Sequence, residues 1–286
     1  MSPSEPAGDE AALTAHVGRS RVAEAMLDPW PAAALTAALG RDDPPASGTA
    51  LPPFWHQLYA NPVVAAHATG ADGHERRGEF LPPVPTGWLR MWAGGRLRLE
   101  RPLLLGEPVR KTSTVRAVTP KQGRRGRLVF VLVEHRWEAP GGVALVEEQD
   151  IVYREPARPG EGDPGVIAGA GPWRHEWRPD PVLLFRYSAL TYNGHRIHYD
   201  ADYAPREEGY RGLVVHGPLL ATLMLDLVRR KKPGAEVRAF RFRATAPLFA
   251  GDTLTVHGEP GQGGGVGLWV AGPGGRLAME GQAGFG

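Results

Sequence analysis

The chain has 286 residues, with 33 Lys and Arg against 31 Asp and Glu, a net charge of +2. An apolar content of 42% with 22% charged residues excludes wholesale disorder, and the near-balance of charge excludes a dedicated nucleic-acid binder. No cysteine is present, which excludes disulfides, thiolate metal sites and a cysteine nucleophile, and no apolar run approaches the roughly 18 residues of a membrane span.

Residues 1–10 read as a disordered tail that carries acids and no basic leader, so a cytoplasmic protein is expected. The Ala and Leu content of Val17–Leu39 predicts one or two short helices, broken at Asp28-Pro29-Trp30-Pro31. A loop follows over Arg41–Pro53. Gly94–Arg101 alternates, with Leu97 and Leu99 on one face and Arg96, Arg98 and Glu100 on the other, which is the pattern of a half-buried strand. Arg127–His135 and Val143–Arg154 read as a hairpin closed by Pro140-Gly141-Gly142. The Pro- and Gly-rich stretch that follows, 156–180, reads as a linker between a first unit, 11–155, and a second, 181–286. In the second unit His216–Lys232 is the strongest helix, with Leu219, Leu220, Leu223, Met224, Leu227 and Val228 on one stripe and Pro233-Gly234 as its stop. Strand-like runs follow at Arg238–Ala246, Thr253–His257, Val266–Ala271 and Arg276–Glu280.

The chain repeats itself at an offset of 145. Arg101-Pro-Leu-Leu-Leu-Gly-Glu-Pro-Val109 lies over Ala246-Pro-Leu-Phe-Ala-Gly-Asp-Thr-Leu254 without a gap, each copy after an Arg-x-Arg strand, Arg96/Arg98 and Arg241/Arg243. A repeat of half the chain signals a duplicated domain. Nucleotide-binding, serine-hydrolase and zinc-protease motifs are absent. The stretch that concentrates chemistry is Phe185–Asp200, which gathers Asn193, His195 and His198 within six residues. Histidine titrates near working pH and is the usual general acid or base, and an amide five residues earlier can orient it or hold a substrate oxygen. Ordinary packing of two histidines and a metal pair are the competing readings, the latter without a third ligand at strong spacing.

Tyr187-Ser-Ala-Leu-Thr-Tyr-Asn-Gly-His-Arg-Ile-His-Tyr-Asp200 resembles the active-site segment of MaoC-like hydratases and dehydratases. It is most similar to the hydroxyacyl-thioester dehydratase type 2 and mesaconyl-CoA (itaconyl-CoA) hydratase branch. The resemblance continues in Gly212–Ala221, Gly78–Pro85, Met91–Arg96 and Glu147–Arg154. It implies an α+β double hot-dog fold, two antiparallel sheets each wrapped around a central helix. It implies reversible addition of water to an α,β-unsaturated acyl thioester, without cofactor or metal. The family's catalytic Asp and His, five residues apart, fall on Asn193 and His198. Because Asn cannot take a proton, His198 is expected to shuttle it alone while Asn193 positions water. Gly217, at the predicted helix start, is expected to offer its N–H to the enolate oxygen.

Tyr187, His195, Arg196 and His216 complete the expected site as substrate-binding residues. The first half has no Asn–His pair, and its matching region Leu51–Asn61 is bulky and aromatic, so it is expected to shape the acyl pocket without catalysing. The expected substrate is a short branched dicarboxylyl-CoA, mesaconyl-C4-CoA or itaconyl-CoA going to citramalyl-CoA, with Arg90, Arg186 or Arg196 available for the carboxylate. The basic clusters Lys121–Arg127 and Arg229–Lys232 are candidates for the CoA phosphates. The expected partner is thus a CoA thioester and neither nucleic acid nor membrane, with a homodimer possible. A 3-hydroxyacyl-carrier-protein dehydratase, a hot-dog thioesterase and an inactive thioester-binding module are the alternatives. The only acid on the central helix, Asp226, lies too late in it to favour hydrolysis.

Overall fold

A computed structural model of the chain describes residues 10–123, 126–156, 165–261 and 263–286. Residues 1–9, Arg124 and Arg125 of the first basic cluster, and 157–164 of the expected linker lie outside the described residues. The elements run α1 (Glu10–Thr14), β1 (Ser20–Met26), α2 (Pro29–Ala38), β2 (Leu89–Leu99), β3 (Pro108–Gly123), β4 (Gly126–Ala139) and β5 (Gly142–Arg154). The second half follows as β6 (Trp173–Trp177), α3 (Pro181–Leu190), α4 (Tyr203–Glu208), α5 (Gly217–Lys231), β7 (Val237–Ala244), β8 (Leu254–Pro260), β9 (Val266–Ala271) and β10 (Leu277–Phe285). All pairings are antiparallel, in the order β1-β3-β4-β5-β2-β7-β10-β9-β8-β6. The two five-stranded halves join where Gly94–Arg98 of β2 pairs with Arg243–Ala239 of β7, so they share one continuous sheet. One apolar core, from Leu27 to Ala283, spans both halves.

Three sequence expectations change. Ser20–Met26 is an edge strand on β3, not helix, because alternation of exposed and half-buried side chains along Ser20–Met26 fits an edge. Asp28-Pro29 opens helix α2 instead of breaking one: Pro29 needs no N–H in the first turn, and the Asp28 carboxylate accepts from Trp30 N at 2.7 Å. Asp180-Pro181 opens α3 in the same way. The stretch read as a linker carries β6, whose half-buried Trp173, His175 and Trp177 alternate and whose backbone pairs with β8.

The repeat is structural. Its two copies form the turns β2–β3 and β7–β8, with Gly106 at φ 94° and Gly251 at φ 85°. Each turn receives the same backbone ladder: Leu51 N donates to Leu103 O as Val215 N donates to Leu248 O, and Leu105 N to Thr49 O as Ala250 N to Leu213 O. Those bonds align Leu51 with Val215, and hence Pro53 with Gly217. In the second half the chain then enters the 15-residue helix α5, which packs its apolar stripe on the sheet. In the first half it makes only a 3₁₀ turn, Trp55–Leu58. The expectation of a central helix in each half is corrected there: Phe54 and Trp55, both buried, fill the concave face in its place. No helix among the described residues is long and apolar enough to cross a membrane.

Candidate active site

Helix α3 leads into the segment that carries Asn193, His195 and His198. After Thr191 the backbone turns through Tyr192 in the left-handed region, φ 49°, and Asn193 N donates back to Ser188 O. The Asn193 side-chain oxygen accepts from His195 N at 3.0 Å, which closes a side-chain turn, and Asn193 lines the cavity. A 3₁₀ turn, Arg196–His198, then buries Ile197 and His198. His198 Nδ1 donates to the Val214 carbonyl at 2.8 Å. A carbonyl can only accept, so Nδ1 carries the proton and Nε2 holds a free lone pair. Burial, then the charge of His195, lowers the His198 pKa to about 3, only partly offset by the Val214 bond, so the ring is neutral at working pH.

The other histidines form a row behind it. His216 stacks on His198 with ring centroids 3.7 Å apart and pairs through Nε2 with Ser188 Oγ at 2.8 Å. His195 packs edge-on to His198 and donates from Nε2 to Glu208 on α4 at 3.0 Å. His74, from the first half, lies 4.3 Å from His195. The loop that brings it is docked by backbone: Arg196 N donates to Asp72 O, and Gly73 lies against Gly194 so closely that a Cβ on Gly73 would stand 1.8 Å from the Gly194 carbonyl oxygen.

Asn193, His195, His198, Tyr187 and Gly217 line one cavity of about 800 Å³. Gly217 is the first residue of α5, and an added Cβ there would meet the Trp92 ring at 3.1 Å. Its amide is among those at a helix start that have no helical carbonyl to bond. Two expected substrate contacts do not reach the cavity. His216 is fully buried beneath His198. Arg196 turns outward to Asp200 at 2.7 Å and to the Ala71 carbonyl, with its guanidinium over Tyr203. Of the three arginines considered for a carboxylate, Arg90 lines the cavity, Arg186 is exposed and away from it, and Arg196 is turned away. The basic end of α5 is likewise turned away: Arg229 and Arg230 pair with Asp226, whose carboxylate also takes Arg41 at 2.8 Å.

The sequence reading missed the cavity's first-half wall. Arg21, His74, Lys111, Ser113, His135 and Gln149 all line it. The available signal was polar residues at alternate positions, Lys111-x-Ser113 and Glu147-x-Gln149, in strands otherwise apolar on that face. Six cations and one carboxylate, Glu75, are among the lining residues, so the cavity is electropositive and suits an anionic ligand. Among the described residues no group of three or more His, Asp or Glu is placed to hold a metal ion.

This fold and the sequence of residues 54–250 place the chain in the class of MaoC-like hydro-lyases, enzymes that add water to or remove it from acyl thioesters. The chain belongs to the hydroxyacyl-thioester dehydratase type 2 family, whose sequence profile matches residues 54–250. It is 42% identical, over 87% of its own length and 90% of the relative's, to a mesaconyl-C(4)-CoA hydratase of Chloroflexus aurantiacus. Its fold is similar to that of a MaoC-like dehydratase from Phytophthora capsici, with a TM-score of 0.66 at 13% identity over 97% and 99% of the two chains. It also resembles a Mycobacterium tuberculosis protein with a double hot-dog fold, with a TM-score of 0.57 at 16% identity over 93% and 95%.

Proposed function

We propose that this hydro-lyase hydrates a short dicarboxylyl-CoA thioester of the mesaconyl-C4 type, with His198 as the proton carrier. One observation carries the reading: the cavity that holds Asn193, His198 and Gly217 is lined by six Arg and Lys side chains and, among the described residues, by one carboxylate, Glu75. A dicarboxylyl-CoA is anionic at both ends, at the phosphates and at the distal carboxylate, and carries its reacting carbons between them.

In this reading water sits between the Asn193 amide and His198 Nε2. Nε2 takes its proton as the oxygen bonds to the β-carbon, and the electrons of the double bond pass to the thioester oxygen. The Gly217 N–H, aided by the positive end of α5, stabilises that enolate. The imidazolium, made a strong acid by burial, then returns the proton to the α-carbon, and the hydrated thioester leaves with His198 neutral again. The equivalent first-half position is Pro53, which has no N–H to give, and this supports a single catalytic centre. Asp226, spent on Arg41 and Arg230, is not available as the base of a thioesterase.

The test is incubation with mesaconyl-C4-CoA and crotonyl-CoA, with products read by mass. Gain of one water by mesaconyl-C4-CoA, at a higher kcat/KM than for crotonyl-CoA, is expected. Preference for crotonyl-CoA, or hydration of neither, would overturn the reading.

A further inference from the structure

Two rings of the site are pinned in opposite tautomers. The Val214 carbonyl holds the proton of His198 on Nδ1, and the Glu208 carboxylate, which likewise can only accept, holds that of His195 on Nε2. In the neutral rings this leaves two lone pairs, one on His198 Nε2 and one on His195 Nδ1. Neither nitrogen has a hydrogen-bond partner among the described residues, and neither is sealed from water, unlike Nδ1 of His74 and of His216. Both residues line the cavity, as does Asn193. The His195 ring packs against both of its neighbours, with centroids 4.3 Å from His74 and 5.5 Å from His198.

Glu208 stands where a carboxylate is costly. It is the last residue of α4, at the end where helix carbonyls already concentrate negative charge. Its side chain is 6% exposed, and its second oxygen, Oε2, is buried without a partner. It does not line the cavity itself. The packing that places it also places Val214: Tyr203 and Ala204 of α4 share one small buried cluster with Ile197 and Val214. One piece of structure thus sets the tautomer of both rings.

We propose that His195 Nδ1 is the second acceptor for the attacking water, and that Glu208 is a positioning residue acting through that ring. This rests on the reading above, in which water lies between Asn193 and His198. The Asn193 NH₂ donates to the water oxygen, His198 Nε2 accepts the hydrogen that is transferred, and His195 Nδ1 accepts the hydrogen that stays. One lone pair of the oxygen is left for the β-carbon. Asn193 does not supply the second acceptor, because its side-chain oxygen is already engaged by His195 N. No bond to His195 forms or breaks covalently: the O–H it holds becomes the hydroxyl of the product, and the proton taken by His198 goes to the α-carbon as before. Without Glu208 the His195 proton is free to move to Nδ1, which would turn a donor toward the water in place of an acceptor.

The experiment is a double-mutant cycle of His195→Gln and Glu208→Gln, assayed on whichever of mesaconyl-C4-CoA and crotonyl-CoA the wild type hydrates faster. Ring tautomers are read alongside by ¹⁵N NMR of histidine-labelled wild type at neutral pH. Glutamine at 208 keeps the size and a bond to Nε2 but can donate as well as accept, so it no longer dictates the tautomer. Each single variant should lower kcat by about tenfold or more with KM within about threefold, because the thioester's own contacts are untouched. The double variant should fall within about twofold of His195→Gln alone, since Glu208 acts only through that ring. The spectrum should show His195 protonated on Nε2 and His198 on Nδ1. Additive losses, or a rise in KM that matches the fall in kcat, would make Glu208 structural and overturn the proposal. So would a His195 proton on Nδ1 in the wild type, a result that needs no folded variant. An active His198→Ala would overturn the reading of the site and this inference with it. An inactive His198→Ala beside a His195→Gln at the wild-type rate would overturn this inference alone.

Discussion

The two halves of the sheet receive the same turn and the same backbone ladder, yet part company two residues later, at Pro53 and Gly217. From Gly217 the chain builds a 15-residue helix whose first residue lines the cavity. After Pro53 it makes one 3₁₀ turn and leaves the concave face to Phe54, Trp55 and a row of polar side chains. The difference teaches that the duplicated unit has two separable assets. One is a helix terminus that can stabilise negative charge, and the other is a curved sheet that can enclose a ligand. In the proposed mechanism the second half uses the first asset, and the first half, with no helix at that position, offers its sheet face as a cavity wall.

The comparison can be broken most directly at the histidine that only the second half carries. His198→Ala should lower kcat by about 10²–10⁴-fold with an unchanged circular dichroism spectrum. A variant keeping more than about a tenth of the wild-type rate would move the proton transfer elsewhere. Acid should act on both halves at once. His135 in the first and His198 in the second have pKa values lowered by burial to about 4 and about 3, and His74 and His216 are lowered well below 6.5. The unfolded chain binds these protons near pH 6.5, and the folded protein does not. The stability they contribute is therefore complete above about pH 6.5. It is lost as pH falls from there toward the folded values, at roughly 1 kcal/mol per pH unit for each ring. Urea midpoints measured from pH 7.5 to 5 should fall steeply in a single transition, and two resolved transitions would contradict one shared core.

Asn193→Ala should lower kcat by about tenfold or more, and Asn193→Asp should retain more activity than Ala. Equal rates for Asn193→Ala and wild type would remove Asn193 from the mechanism. Gly217→Ala pushes a methyl to 3.1 Å from Trp92 and should cost about tenfold in kcat, whereas Pro53→Ala should leave kcat within twofold. Equal effects at the two positions would erase the distinction between the halves. Arg196→Gln should change kcat/KM by less than about threefold, since its guanidinium faces Asp200 and not the cavity.

Much of this was legible in the residues. The offset repeat marked the two turns, the Leu and Met stripe of 216–232 marked α5, and the tight grouping of Asn193, His195 and His198 falls on residues that line one cavity. What failed has physical causes. Helix propensity over 17–39 was overridden by edge pairing on β3. Asp28-Pro29 carries both a helix-start and a break signal, and only the cap geometry decides between them. Trp173–Trp177 alternates over too few residues to stand out from Pro and Gly. His74 and Lys111 reach the cavity only through long-range packing, which no local spacing encodes. His216 and Arg196 lie close in sequence to cavity residues, but helix start and turn aim their side chains elsewhere.

The contact between Gly73 and Gly194 has a kinetic consequence. Neither backbone can adopt this fit until the other half's loop is in place, and the two lie on opposite sides of the segment joining the halves. The pieces of the site are thus assembled late, after each half has formed its local hairpins. During refolding, return of strand signal should precede return of activity, and a bulky residue at Gly73 should widen that interval without slowing the early phase.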